Sequence, residues 1–583
     1  MREFRVRSGE VELAVRERGQ GNEPVIVLIH GYPDTGAVWD EVAERLATRF
    51  RVLAYDVRGA GGSTAPADPL DYGVDALLGD LAAVLDGAGV TGPVHLAGHD
   101  WGSVQGWDAV IGDRLRGRIA SFTSISGPAR QHIVPWARET VRSGPRGVAE
   151  VLGQARRSVY MPLMMAPYAG EALARLLPVA FEKGLRLAEG AEPRPGHPAA
   201  TIARDARNGL GLYRANMRRL GAAGDGGTDV PVQVIVPTRD RYGTESMLLS
   251  ARGRASRLYV RRIPAGHWAV RRDPDRIAAW IGEFADHVEG GPETPELARA
   301  RAAGGTGGEF AGRLVVVTGA GSGIGRATAH AFAAAGARVV AADVDEDAAK
   351  RTAGEIGEMA NIYRVDVADA AAMERFATYV AEVFGVPDVV VNNAGVGLAG
   401  SLLDTTEAEW ERVRSVNLDG VYRGCRLFAQ QMVRRGEGGH LVNVSSMAAF
   451  APSAELPAYS ATKAAVLQLS ECLRLDLAPF GIGVSAVCPG VIDTPITRNA
   501  RYVGLTGQLR EQAARAFERR GYPPERVAAA IVKAVRHDRA VVTVAAEARA
   551  ARALSRVSPA AARAVGGLAH RAGTRLQQRP TGG

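Results

Sequence analysis

The sequence predicts an α/β protein built from two doubly wound parallel sheets in series, the first carrying a helical insertion. Three observations lead there. Short continuous apolar runs such as 25–29 and 314–318 alternate with segments of helical spacing, as strands buried on both faces do. A glycine-bracketed turn, LAGHDWGS at 96–103, joins one such strand to a helix. The same strand–loop–helix rhythm restarts after a Gly-, Pro- and Ala-rich stretch at 289–308.

Composition sets outer bounds. A chain of 583 residues exceeds one core, and roughly three to four domain-sized units are expected. With 46% apolar and 23% charged residues it is an ordinary globular composition. Its three cysteines (Cys425, Cys472, Cys488) are scattered, with no disulfide framework or zinc spacing, so no metal is expected and a reducing, cytoplasmic location is. The start, MREFRVRSGEVELAV, carries no apolar signal region, and no apolar run approaches the ~18 residues of a membrane span. The net charge of +8 is concentrated in arginines of the insertion and the C-terminal tail. That distribution permits contact with anionic lipid or nucleotides but lacks the dense basic run of a nucleic-acid binder.

In chain order, the strand 25–29 ends in HGYPD (30–34), where a glycine and a proline shape a loop whose backbone N–H groups can face a reacting centre. The strand 51–55 ends in DVRGAGGS (56–63), and a helix at about 73–88 leads to the strand that enters the glycine-bracketed turn. Gly98 and Gly102 permit a strained elbow that exposes one side chain, here Asp100 where an esterase would carry serine. A carboxylate gains nothing by attacking an ester, but it can attack a carbon bearing a strained oxygen or a halide. After the strand 119–125 the rhythm stops at about 128–228, a stretch rich in Arg, Ala, Leu, Pro and Met that reads as a helical cap over the ligand-binding edge of the sheet. It resumes with PVQVIVPTRD (231–240), then the strand 258–263, PAGHW (264–268) and a final helix at 273–288. Asp100, Asp240 and His267 thus stand at strand ends in the order nucleophile, acid, base.

HGYPD, DVRGAGGS, GHDWGS, PTRD and GHW together resemble the epoxide hydrolases of the α/β-hydrolase fold, over residues 1–288. The resemblance implies that Asp100 opens the epoxide to an ester, that His267 activates the water that cleaves it, and that Asp240 orients His267. It makes the N–H groups of Tyr32 and Trp101 an oxyanion hole. It also implies two cap tyrosines that protonate the leaving alkoxide: Tyr213 in LYRANM and Tyr160 in SVYMPL, with Tyr168 as the alternative to Tyr160. Haloalkane dehalogenases share the Asp–Trp elbow, and Trp101 would bind halide there. They generally place an asparagine after the His-Gly pair, where this chain has Tyr32.

Residues 289–309 read as a mostly flexible linker with a short helix at about 295–303. The strand 314–318 then runs into TGAGSGIG (318–325) and a helix. Gly319, Gly323 and Gly325 in this loop suit a tight turn, close approach of a pyrophosphate to the backbone, and close helix packing. Asp343, at the tip of the next strand, can hold adenosine ribose hydroxyls and would repel a 2′-phosphate, which favours NAD over NADP. VDV (365–367), VNNAG (391–395), VNL (416–418), NVSS (443–446), YSATK (459–463) and CPGVIDTP (488–495) follow. Tyr459 and Lys463 fall on one helix face, where the ammonium is expected to lower the phenol pKa.

This set resembles the short-chain dehydrogenase/reductase family, a Rossmann fold, over residues 310–548. The resemblance implies that Tyr459 is the acid/base, that Ser446 (rather than its neighbour Ser445) binds the substrate oxygen, that Lys463 grips the ribose, and that Asn417 supports a relay water. Ser322 and Ile324 then join the loop glycines on the cofactor. Asp366 and Val367 would meet adenine, Asn393 and Gly395 line the site, and Pro489, Ile492 and Thr494 lie on the nicotinamide side. It further implies a homodimer or homotetramer through this domain.

The Ala/Arg-rich tail, 549–583, reads either as a helix packed on the domain or as an interfacial helix touching anionic membrane, with 577–583 disordered. Fusions of this kind resemble actinobacterial proteins. The expectation is a bifunctional enzyme for small lipophilic substrates, with no nucleic acid partner. The alternative is that one half is a non-catalytic scaffold or lipid-binding module.

Overall fold

The computed structural model describes residues 1–217, 226–302, 310–450, 452–504, 522–558, 560–561 and 563–564. The chain divides into two compact units, Met1–Gly305 and Thr306–Gly583.

The first unit is built on β1 (Arg2–Ser8), β2 (Val11–Arg18), β3 (Val25–Ile29), β4 (Arg51–Tyr55), β5 (Val94–His99), β6 (Ile119–Ile125), β7 (Val232–Pro237) and β8 (Leu258–Ile263). They form one sheet in the order β1-β2-β4-β3-β5-β6-β7-β8. β1 and β2 pair antiparallel, β2 runs antiparallel to β4, and β3 to β8 are mutually parallel. Burial follows position. The outer β2 alternates buried and partly exposed residues, whereas β3 and β7 are buried throughout. Within β3 the period of two splits the side chains between two cores: Val25, Val27 and Ile29 pack with Trp107 and Phe122, while Ile26 and Leu28 pack with Trp39 and Trp280. The parallel strands all point their C-terminal ends the same way, so the loops after β3, β5, β7 and β8 share one edge.

The insertion between β6 and β7 is helical: Arg130–Arg142, Pro145–Arg157, Tyr160–Met165, Ala169–Gly184, a wide turn at Leu185–Glu189, and Ile202–Asn216. Its apolar residues Ala174, Leu210, Leu212 and Tyr213 close against the first core.

The second unit repeats the doubly wound pattern with β9 (Leu314–Thr318), β10 (Arg338–Asp343), β11 (Ala360–Arg364), β12 (Val389–Asn392), β13 (Leu398–Ala399), β14 (Gly439–Val444), β15 (Ile482–Pro489), β16 (Arg501–Tyr502) and β17 (Val541–Val544). Seven of these form the parallel sheet β11-β10-β9-β12-β14-β15-β17, and β13 pairs with β16 apart from it. Leu314 and Val316 face one core while Val315 and Val317 face the other, the same division seen in β3. The strand order reverses between β9 and β12, which opens the crevice where such sheets bind ligands.

The stretch expected to be a flexible linker is instead packed on the first unit as far as residue 302. A short helix, Pro295–Ala300, is capped by Thr294 and buries Leu297 and Ala300 against Tyr259 and Phe284. Ala302 N then donates to Leu258 O at 2.7 Å. The reason is a small apolar cluster assembled from β8 and the preceding helix, which leucine at the third linker-helix position completes. In the second unit, the helix Ala546–Val557 opens the tail, and Glu547 accepts a hydrogen bond from Val491 N at 3.0 Å. Residues 577–583, expected to be disordered, lie outside the described residues. Among the described residues no helix is long and apolar enough to cross a membrane.

Leu297→Ala removes the anchor of the packed linker helix, at about 2–5 kcal/mol for a buried leucine. Trypsin should then cut after Arg299 or Arg301 at least about tenfold faster than in the wild type, since ~1.4 kcal/mol of local opening is tenfold in population. An unchanged cleavage rate would show that the segment is held by something other than Leu297.

Candidate active sites

The first site starts from one backbone conformation. Asp100 sits at φ 53°, ψ −119°, between the end of β5 and the helix Trp101–Ile111. Two glycines make room for it. A Cβ at Gly98 would run into the Gly102 carbonyl, and one at Gly102 would strike the Ile29 carbonyl of the neighbouring strand. The turn therefore lifts the Asp100 carboxylate to the sheet edge beside the loop after β3. Tyr32 N donates to Asp100 Oδ1 at 2.7 Å. Trp101, the first residue of the following helix, puts its N–H at the positive end of that helix.

His267, in the loop after β8, lies between two carboxylates. Its Nδ1 donates to Asp240 Oδ2 at 3.0 Å, and its Nε2 is 3.5 Å from Asp100 Oδ2. Asp240 is itself held by the N–H groups of Tyr242 (2.8 Å) and Gly243 (3.2 Å). The two carboxylates differ in access: the Asp100 side chain keeps 18% exposure and that of Asp240 none. Only Asp100 can therefore reach a ligand. Burial works against charging His267, yet Asp240 and Asp100 outweigh it and hold its pKa well above the ordinary value. Burial likewise opposes the Asp240 charge, and His267 with the two N–H donors pulls that carboxyl below its usual range.

An aromatic roof covers Asp100. The Tyr213 ring stands edge-on to Trp101 (5.1 Å between centroids), Tyr32 (5.4 Å) and Tyr160 (6.2 Å). Burial, then Tyr160 and the Asp100 charge, raise the Tyr213 pKa well above that of a free phenol, although a hydrogen bond from Trp101 works the other way. The Tyr160 phenol is raised by burial and then by Asp100. Tyr168 stands elsewhere, 88% exposed. The geometry thus brings Tyr160, not Tyr168, to Tyr213.

Four residues at this site were not singled out from the sequence. Tyr242 bridges Tyr160 (5.4 Å) and His267 (4.7 Å) by ring contacts. His99, one residue before Asp100, donates from Nε2 to the His267 carbonyl at 2.9 Å. Asp34 accepts from Trp268 Nε1 and from His197 Nε2, each at 2.9 Å, joining the loop after β3 to the cap and to the His267 loop. Glu189 of the cap accepts from Trp268 N at 3.3 Å. His99 and Asp34 lie inside GHDWGS and HGYPD and could have been flagged by that adjacency. Nothing in the sequence signals Tyr242 or Glu189, because their place depends on how cap and loop fold together.

In the second unit, the loop after β9 is shaped by its neighbours. Gly319 takes φ +66°, and a Cβ on Gly325 would collide with the Gly319 carbonyl. Asn393 Nδ2 donates to the carbonyls of Thr318 (3.0 Å) and Gly319 (3.1 Å), so Asn393 bolts the loop from behind. Asp343 Oδ2 accepts from Gly321 N at 2.8 Å. Ser322 precedes the helix Gly323–Ala334 without capping it by its side chain. The first N–H groups of that helix and Ile324 beside them form a cradle of the kind that takes a phosphate. Thr494 stands against it, within 3.2 Å of where a Gly323 Cβ would be. The residues present therefore fit a dinucleotide.

Gly395, Asn417 and Lys463 converge: a Cβ on Gly395 would lie 3.4 Å from Asn417 Oδ1 and 3.5 Å from Lys463 Nζ. Asn417 exchanges hydrogen bonds with the backbone of Val396, at 2.8 and 2.9 Å. Pro489 ends β15, and Ile492 is buried beyond it. Asp366 is exposed beyond β11 and caps Ala368 N at 2.9 Å, whereas Val367 is buried in the core. Ser446 is hydrogen-bonded to Tyr459, while Ser445 is turned inward, donating to Lys463 O at 2.7 Å.

One expectation fails here. The Tyr459 phenol is raised, not lowered: burial dominates, and only Ser446 draws it back. Lys463 Nζ is 5.8 Å from the Tyr459 ring centre and donates to Val444 O at 2.9 Å. Burial also brings the Lys463 pKa down to about 8.

Asp240→Asn should lower the His267 pKa, because it removes the strongest of the influences that raise it. In the wild type this raised pKa stabilises the fold fully below the pKa of the unfolded histidine and loses its effect as pH rises through the folded value. The variant should therefore lose stability mainly on the acid side, read by urea unfolding at stepwise pH. An unchanged His267 titration by NMR would mean that Asp100 alone sets it.

Comparison with known proteins agrees with the two-unit architecture. A family model for the alpha/beta hydrolase fold matches residues 24–272, and one for short chain dehydrogenases matches 313–502. The "Probable oxidoreductase EphD" of Mycobacterium tuberculosis is 40% identical over 578 residues, covering 96% of this chain and 97% of that one. The "NADP-dependent (R)-specific alcohol dehydrogenase" of Lentilactobacillus kefiri is 40% identical over 191 residues, 32% of this chain and 75% of the relative. A short chain dehydrogenase/reductase from Burkholderia phymatum, solved in complex with NAD, is 31% identical, covers 47% of this chain and 98% of its own, and has a TM-score of 0.40. With a relative of that identity matched along nearly its whole length, the chain belongs to the EphD-like family, in which an α/β-hydrolase domain precedes a short-chain dehydrogenase domain.

Proposed function

We propose that the first unit hydrolyses epoxides to diols and that the second oxidises or reduces an alcohol/carbonyl pair with NAD. The observation that carries the first reading is a carboxylate at the elbow, within ion-pair reach of a His–Asp pair and roofed by two raised phenols. Asp100 attacks an epoxide carbon, the ring C–O bond breaks, and the alkoxide takes a proton from Tyr160 or Tyr213. Phenols of high pKa suit this task, because they remain protonated until an alkoxide forms. Esterification removes the Asp100 charge, one of the two that hold His267 as imidazolium; the imidazolium proton passes to the tyrosinate left by the first step, and neutral His267 can then take a proton from water. That water attacks the ester carbonyl, the N–H groups of Tyr32 and Trp101 receive the oxyanion, and collapse releases the diol and restores Asp100. A dehalogenase reading is less well supported, since Trp101 is engaged with Tyr213 and Tyr32 supplies no side-chain amide for halide.

In the second unit Tyr459 would exchange its hydroxyl proton with the substrate oxygen while Ser446 hydrogen-bonds that oxygen. NAD, when bound, exchanges hydride with the substrate carbon. Lys463 and Asn417 would hold the ribose side and a relay water, and Asp343 would bind the adenosine ribose hydroxyls. A vicinal diol is a secondary alcohol, so the product of the first site has the chemistry of a substrate for the second.

His267→Gln should leave a covalent adduct on Asp100, because attack is retained and ester hydrolysis is lost. Intact-protein mass spectrometry after mixing with an epoxide reads it, and no adduct on an otherwise intact protein would mean a different nucleophile. The wild type should bind NADH at least about tenfold more tightly than NADPH, and Asp343→Ala should narrow that gap, since a carboxylate opposing a 2′-phosphate costs on the order of 1 kcal/mol or more. Equal binding of both by the wild type would sink the assignment of Asp343.

A further inference from the structure

The cap presents an apolar surface that no chemistry of the two sites uses. Val148 and Leu152 are four apart on Pro145–Arg157, and Val159 and Leu163 are four apart at the start of and within the next helix, Tyr160–Met165, so each pair lies on one side of its helix. They are 40%, 60%, 62% and 50% exposed. On the next helix and its closing turn, Leu176 and Leu187 stand 67% and 88% exposed. One segment of a monomeric surface rarely exposes so many large aliphatic side chains without a partner.

The charge around them has one sign. Residues 138–187 hold eight Lys and Arg against four Glu. Three of those carboxylates already face arginines: Glu139 to Arg254 (2.6 Å), Glu171 to Arg214 (2.7 Å) and Glu182 to Arg186 (3.3 Å). Arg156, Arg157, Arg175 and Lys183 are exposed beside the apolar positions. Exposed leucine and valine on helices rimmed with Lys and Arg is the pattern of a surface that lies in a membrane interface, with the cations among anionic headgroups.

We propose that the cap docks on an anionic lipid bilayer through this face. The same segment turns its other side to the active site: Tyr160 packs on Tyr213 and Tyr242, and Met164 receives the Tyr32 hydroxyl at 3.8 Å. Docking would thus bring the roof over Asp100 to the lipid surface, where a lipophilic epoxide partitions. That last step rests on the epoxide hydrolase reading; the lipid contact itself does not.

The test is flotation of the full chain with vesicles of phosphatidylcholine, alone or mixed with an equal part of phosphatidylglycerol, alongside size-exclusion chromatography. The wild type should bind the anionic vesicles at least about tenfold better than the neutral ones, and added salt should weaken this. Leu152→Asp/Leu163→Asp should lose about tenfold or more of the binding while hydrolysing a water-soluble epoxide at the wild-type rate. Arg156→Glu/Arg157→Glu, wholly at the surface, should lose the preference for anionic vesicles even if the first variant folds poorly. Three results would overturn the proposal. These are no vesicle binding by the wild type, undiminished binding by both variants (which moves the contact elsewhere, such as the tail), or no binding together with an oligomer that the leucine substitutions dissociate, which makes the face a contact between copies. Failure of epoxide hydrolysis with vesicle binding retained would count against the enzymatic reading alone.

Discussion

The first unit depends on one residue held where residues other than glycine rarely sit. Asp100 at φ 53°, ψ −119° stores strain of the order of 1–3 kcal/mol, and it persists because the surroundings leave it no alternative. The helix Trp101–Ile111 is close-packed on β3 through Gly102, and Gly127 admits the Asp100 carbonyl from the opposite side. A relaxed backbone at Asp100 would have to push one of these contacts apart. The strain thus aims the carboxylate at the sheet edge, and every other feature of the site takes its place from there: the Tyr32 N–H beside one oxygen, His267 beside the other.

Parallel strands supply the rest of the convergence. Tyr32, Asp100, Asp240 and His267 follow β3, β5, β7 and β8, far apart in the chain but on one edge. The same geometry in the second unit gathers the loop after β9, Asp343 at the end of β10, Asn393 after β12 and Ser446 after β14. This is why so much of both sites was legible in the sequence. A short apolar run says where a parallel strand ends, and a polar residue just past that point must lie on the shared edge. Asp100, Asp240, His267 and Asp343 were found by that rule, whereas Ser446 came from its spacing to Tyr459 and the family resemblance.

Residues placed by packing rather than by strand ends were not legible. Tyr242 and Glu189 reach the His267 loop only because cap and loop close on one another. Tyr160 and Tyr213 were singled out by resemblance, since a tyrosine on an amphipathic helix looks the same whether it packs or reacts. The linker shows the same blindness on a smaller scale. Its Gly, Pro and Ala content suggested freedom, but a single leucine finds the pocket made by Tyr259 and Phe284 and binds the segment down. Composition weighs residues equally, whereas burial rewards one well-placed side chain.

The expectation for Tyr459 failed for a different reason, and the two sites together explain it. Burial penalises whichever form of a group is charged, so it raises phenols and lowers both histidine and lysine. Whether a buried group departs from that direction depends on the charges it touches. His267 has two carboxylates within 3.5 Å, which is enough to reverse the effect of burial and leave it a strong base. Among the described residues Lys463 meets a backbone carbonyl at 2.9 Å and the Cys488 thiol as a minor influence, so burial prevails and its pKa falls to about 8. The ammonium, 5.8 Å from the ring centre, is not among the influences on Tyr459, where burial prevails. Spacing of four residues on a helix guarantees that two side chains share a face, but the sign of a pKa shift comes from the balance of burial and neighbouring charge, and that balance is set in three dimensions.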